Sequence, residues 1–144
     1  MNIIALGENH KVSEEIDKIR NKVIKLKPDI ILHELDFEDK DYYKRYLKHV
    51  EVLPLEPSNT KDGYGFPNFN NLPIKTKFLI RENEMLNIII NTVKNNIDKK
   101  IVIVIGDTHL RTTTGNYFFT KSLIPIFIKD MGGKIIRSEY REIN

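Results

Sequence analysis

Apolar residues fall along this chain in two patterns, short unbroken runs and longer stripes at helical spacing. The runs mark predicted strands at Asn2–Leu6, Asp29–His33, Glu51–Leu55, Ile101–Ile105 and Lys134–Ser138. Short β-branched runs such as Asp29–His33 and Ile101–Ile105 fit strands buried on both faces, hence a parallel sheet covered by helices. Pro54 near the end of Glu51–Leu55 suggests an edge or a strand terminus. The stripes lie between the runs. Val12, Ile16, Ile19, Val23 and Leu26 predict a helix over Val12–Lys27, with Ser13 as its N-cap and Pro28 as its stop. Tyr42, Tyr43, Tyr46 and Leu47 predict a second helix over Phe37–His49. Leu79, Leu86, Ile90, Val93 and Ile97 predict the longest one, Thr76–Asp98. Tyr117–Met131 is apolar nearly all round and predicts a buried helix, with Pro125 at its start or kinking it and Gly132-Gly133 ending it.

The predicted order is therefore β-α-β-α-β-loop-α-β-α-β. Strands alternating with helices imply an α/β fold of three layers, α/β/α, around a mainly parallel sheet of about five strands. One domain over 1–144 is expected. The run Ile101–Ile105, five consecutive β-branched residues, belongs at the sheet's centre. If the chain reverses direction after its third strand, the first and fourth strands become neighbours. The segment 57–75 holds three prolines and two glycines without periodicity. So long a loop reads either as a lid over a site or as a disordered insertion, and Tyr64, Phe66 and Phe69 favour one that packs.

Composition narrows the chemistry. The 144 residues include no cysteine, so disulfides, thiolate metal sites and a cysteine nucleophile are excluded. A metal would have to be held by His, Asp and Glu, which suits Zn, Mn, Co or Fe. A net charge of +3 with 30% charged residues of both signs describes a solvated surface and makes nucleic-acid binding unlikely as a role. No run approaches the ~20 apolar residues of a membrane span. Gly7, Glu8 and His10 interrupt the only N-terminal apolar run, so a cytoplasmic location is expected. No G-x-S-x-G, G-x-G-x-x-G or P-loop pattern occurs, leaving serine-triad and nucleotide readings without support.

What remains is the ends of the strands. Gly7-Glu8-Asn9-His10 follows the first, Glu34 the second, Glu56 the third and Gly106-Asp107-Thr108-His109 the fourth. In open α/β sheets ligands sit beyond the carboxyl ends of the strands. Two carboxylates ~4 Å apart repel by about 4 kcal/mol at an effective dielectric of 20. Glu8, Glu34 and Glu56 brought together would thus need raised pKa values, a bound cation or a guanidinium. A metal held by His10, Glu34 and His109 would supply the cation, and Arg81 the guanidinium.

The set GENH, PDIILHEL, LPLE, RENEM and IGDTHL resembles the superfamily grouping TraB/PrgY pheromone-shutdown proteins, Tiki metalloproteases, erythromycin esterases and ChaN-like haem-binding proteins. The matching positions are Gly7, Glu8 and His10; Glu34; Arg81 and Met85; Gly106 and His109. The resemblance spans Ile3 to Leu110, although the chain is shorter than most members and has no TraB-like membrane segments. It implies candidate catalytic residues Glu8, His10, Glu34, Arg81 and His109. A histidine with Glu8 or Glu34 would activate water directly or through a divalent metal, and Arg81 would stabilise an oxyanion or hold the glutamates. The expected function is a metal-dependent hydrolase of a peptide, ester or related acyl bond in a small-molecule or peptide substrate. The alternatives are a ChaN-like module binding haem or metal without catalysis, and a regulatory protein with a degenerate site. A partner subunit in a homodimer could stand in for the missing helical insertions.

Overall fold

The computed structural model of the chain describes residues 2–34, 37–56, 64–112 and 121–140. Five strands join in one sheet: β1 (Asn2–Glu8), β2 (Ile30–His33), β3 (Glu51–Pro54), β4 (Lys100–Gly106) and β5 (Lys134–Ile136). Their spatial order is β3-β2-β4-β1-β5, and every pairing is parallel. The helices among the described residues are α1 (Ser13–Leu26), α2 (Phe37–Tyr46), α3 (Ile74–Asn95) and α4 (Leu123–Asp130). The three-layer α/β/α expectation is met, with β4 in the middle position.

Why β4 sits there follows from its side chains. Ile101, Ile103 and Ile105 pack into one apolar cluster while Val102 and Val104 pack into the other, and all five are fully buried. An edge strand would leave such residues half in water, at about 1.5–3 kcal/mol for each side chain fully exposed. The cluster containing Ile101 also holds Met85, Ile89 and Val93 of α3 and Ile124 and Ile128 of α4. The other holds Ile19 and Val23 of α1 and Tyr43 of α2. Each face of the sheet is thus covered by two helices. The chain does reverse after β3, and β1 runs beside β4 in a register that pairs Gly7 with Ile105 and Glu8 with Gly106.

Several elements differ in detail from expectation. The cap of α1 is Val12, with no side-chain hydrogen bond. Glu15 reaches back instead, accepting the Asn9 N–H at 2.7 Å, so Ser13 has no capping role. The buried stripe of α3 is Glu82, Met85, Ile89 and Val93, whereas Ile97 is exposed beyond the helix end. Ile88-Ile89-Ile90 supports two stripes one residue apart, and contact with the sheet chooses between them. In α4, Pro125 lies in the first turn and the helix stops before Gly132, whose φ is +76°. Leu123 and Ile126 face outward, so this helix is not buried all round. The part of that expectation over 117–120 lies outside the described residues. Of the loop, 57–63 likewise lies outside them. Its remainder forms a short turn at Phe69–Asn71 and buries Tyr64 against Phe69, ring centroids 5.3 Å apart. No helix among the described residues is long and apolar enough to cross a membrane.

Candidate functional site

Side chains alternate faces along a strand, and that alternation aims Glu34. Ile30 and Leu32 face α3, so the residue two further on faces α3 as well, just past the end of β2. There Glu34 is buried and surrounded by donors. Its Oε1 accepts the backbone N–H of Gly106 at 2.6 Å, and its Oε2 accepts Arg81 Nη2 at 2.7 Å. His10 Nε2 stands 3.4 Å from Oε1 and His109 Nε2 stands 3.4 Å from Oε2. Of the other four sequence-predicted site residues, His10, Arg81 and His109 thus contact Glu34 directly, and Glu8 is joined to it through His10.

The two histidines are held alike at their other nitrogens. His10 Nδ1 lies 2.9 Å from Glu8, and His109 Nδ1 lies 3.1 Å from Glu82. Their exposures differ sharply. The His10 side chain is 42% exposed and that of His109 only 4%, so His10 alone of the two can meet a solute. Arg81 also donates through Nε to Glu56 at 3.0 Å and through Nη2 to the same oxygen. It therefore bridges the carboxylates after β2 and β3. Among the described residues, four carboxylates (Glu8, Glu34, Glu56 and Glu82) thus meet two guanidiniums (Arg81 and Arg111) and two imidazoles.

That network sets the protonation states. Hydrogen bonding to Glu34 and then to Glu8 raises His10 to about 10, against the opposing effect of burial. Burial pushes Glu34 up, but His10, His109 and Arg81 outweigh it and hold the carboxyl well below the usual carboxylate range. Burial likewise lowers His109, and the bonds to Glu34 and Glu82 reverse the sign. Glu82 is lowered because His109 and Arg111 together exceed the effect of its burial. With both imidazoles protonated the cluster is charge-balanced, which is how four carboxylates share one strand-end site.

The glycines of the two G-x-x-H turns serve each other's turn. A Cβ at Gly7 would run into the carboxylate of Asp107, and one at Gly106 would come within 3.0 Å of Glu34 Oε1 and 3.2 Å of His10 Nε2. Each turn thus makes room for a side chain carried by the other. Beside them opens a cleft of about 190 Å³, lined by Glu8, Asn9, His10, Lys11, Gly106, Asp107, Thr108, Arg111, Arg137 and Tyr140.

Three important residues were not among the expected ones. Glu82 holds His109, and Arg111 holds Glu82 with Nη2 at 3.0 Å while giving Nη1 to the Thr108 carbonyl at 2.9 Å. Arg137 grips Asp107 with Nε at 2.9 Å and Nη2 at 2.8 Å. For Glu82 the sequence carries a signal: the residue sits three positions before Met85, a carboxylate extending a buried apolar stripe. Glu15 stands four before Ile19 in the same manner.

The metal expectation was His10, Glu34 and His109. These residues are brought together, but their donor atoms do not converge. The two Nε2 atoms approach different oxygens of Glu34, and those oxygens already accept Gly106 and Arg81. Among the described residues no group of three or more His, Asp or Glu is arranged to hold a metal ion. As arranged, the set fits an ion-paired network in which Arg81 supplies the cation. In comparison with known proteins, no protein-family profile and no curated sequence matches this chain.

Proposed function

We propose that this site hydrolyses an acyl bond, in an ester, peptide or related substrate, with His10 as the group that moves the proton. The observation that carries the reading is the position of His10. It reaches the cleft from a buried acid–base network and has a carboxylate facing each ring nitrogen. Neutral His10, its Nδ1–H held by Glu8, takes a proton at Nε2 from a water whose oxygen attacks the acyl carbon. The imidazolium, stabilised by Glu34, returns that proton to the leaving alkoxide or amine as the acyl bond breaks. Arg81 keeps Glu34 ionised and fixed in place. His109, buried behind Glu34, orients that carboxylate from its inner side. The resemblance to the TraB, Tiki, erythromycin esterase and ChaN superfamily is consistent with this reading through its hydrolytic branches.

The test is turnover of activated esters and short peptides by the intact protein, with and without a metal chelator. Hydrolysis that survives the chelator and falls about 10²–10⁴-fold in His10→Asn supports the proposal, that being the usual range for one acid–base group. Stoichiometric metal that copurifies and is lost from both His10→Ala and His109→Ala would overturn the direct mechanism in favour of metal activation. A histidine-type Soret band on mixing with haemin would favour the carrier reading.

A further inference from the structure

The residues that follow β5 reach both histidine turns. Arg137 grips the Asp107 carboxylate with two nitrogens, and the Ser138 backbone N–H donates to the same carboxylate at 2.7 Å. Asp107 opens the turn that carries His109, two residues on. The Ser138 hydroxyl lies 2.6 and 2.7 Å from the two oxygens of buried Glu15, and it accepts the Tyr140 N–H at 3.0 Å. Glu15 in turn accepts the N–H of Asn9, the residue before His10. The carbonyl of Tyr140 then accepts Asn9 Nδ2 at 2.8 Å. Asp107, Glu15 and Ser138 are all buried, so each of these bonds would be costly to leave unmade.

We propose that the segment from Arg137 to Tyr140 is a strap that positions His10 and the Asp107 turn together, with Arg137 and Ser138 as its positioning residues. β5 borders β1, and its exit therefore passes over the neighbouring ends of β1 and β4. Asn9 is the contact on one turn and Asp107 the contact on the other. Both lie within two residues of a histidine, and neither histidine touches the strap through these bonds. Arg137 and Tyr140 also line the cleft, so the strap that sets the turns forms one of its walls.

The consequence for turnover rests on the hydrolytic reading above, while the consequence for His10's position does not. Two variants probe the two arms: Arg137→Gln removes the paired grip on Asp107, and Ser138→Ala removes the hydroxyl but keeps the N–H. Ser138→Thr restores a hydroxyl. The first readout is the imidazole NMR signal of His10 in the full chain, measured well below each variant's melting temperature. The strap predicts a displaced or broadened His10 signal in Arg137→Gln and Ser138→Ala, and its return in Ser138→Thr. The second readout, where esters are hydrolysed, is a kcat about 10- to 10²-fold lower at little-changed KM, the cost of a reacting group moved by a fraction of an ångström to an ångström. An unmoved His10 signal in both variants overturns the strap. If no ester is hydrolysed while the signal moves as stated, the function reading fails and the strap stands.

Discussion

Gly106 gives its backbone N–H to Glu34 at 2.6 Å, and it stands where a methyl group would press on that carboxylate's Oε1 at 3.0 Å. One residue thus both donates to the buried glutamate and leaves it room. Its φ of −53° is ordinary for any residue, so the need for glycine comes from contact and not from backbone conformation.

Gly106→Ala is accordingly expected to displace Glu34, loosening the bond to Gly106 and the approach of His10. A buried charged group that loses a hydrogen bond costs about 1–3 kcal/mol. Urea denaturation should show that loss, together with reduced ester turnover. A variant as stable and as active as the wild type would mean that the glutamate can shift freely, contrary to the four groups that surround it.

Arg81 bridges Glu34 and Glu56, and removing it leaves two carboxylates facing each other near the end of the sheet. Breaking a fully buried pair costs about 3–5 kcal/mol; Arg81 keeps 27% of its side-chain surface exposed, so solvent screening brings the expectation for Arg81→Met to about 2 kcal/mol. Adding Glu34→Gln should recover part of that loss, because the neutral amide no longer needs the guanidinium. Equal stability of the single and double variants would contradict the bridge.

These two predictions rest on residues whose chemistry is legible in the order of the amino acids. Strand ends are marked by abrupt changes from β-branched to polar residues, and parallel pairing brings those ends to one side of the sheet. That places Glu8, His10, Glu34 and His109 together. Arg81 is legible as the cation that clustered carboxylates require. Glu82 becomes legible only once the phase of α3 is known: Ile88-Ile89-Ile90 leaves that phase open by one residue, and contact with β4 settles that the stripe through Met85 is the buried one. Arg111 and Arg137 act on Glu82 and Asp107 across 29 and 30 residues of chain, and no local pattern announces such partners.

Stability should depend on pH at both limbs of the network. The Glu34 carboxyl is held below its ordinary 4.5, so its contribution is present above that value and is lost as the pH falls further. His10 is raised from 6.5 to about 10, so its contribution is full below 6.5 and is lost progressively as the pH rises through about 10. Both describe the same ion-paired cluster, and the maximum is expected between about 4.5 and 6.5. Urea midpoints measured across pH should peak there, and Glu34→Gln should flatten the profile. Stability that climbs from neutrality to pH 10 would contradict the assigned pairing.

Turnover should move the opposite way on the alkaline side. A general base works in its unprotonated form, and kcat/KM reports the ionisation of the free protein. With His10 raised to about 10 by Glu34 and Glu8, the neutral imidazole is scarce at pH 7 and grows about tenfold per pH unit towards that value. The profile of kcat/KM for a neutral ester should therefore rise through the alkaline range, with its limb set by His10. Glu8→Gln removes one of the two carboxylates that favour the imidazolium, so the limb should shift to lower pH in that variant. Measuring both profiles separates His10 from any other base. A limb near 6.5 in the wild type, or one that stays in place when Glu8 becomes glutamine, would take the proton-transfer role away from His10 as it is held here.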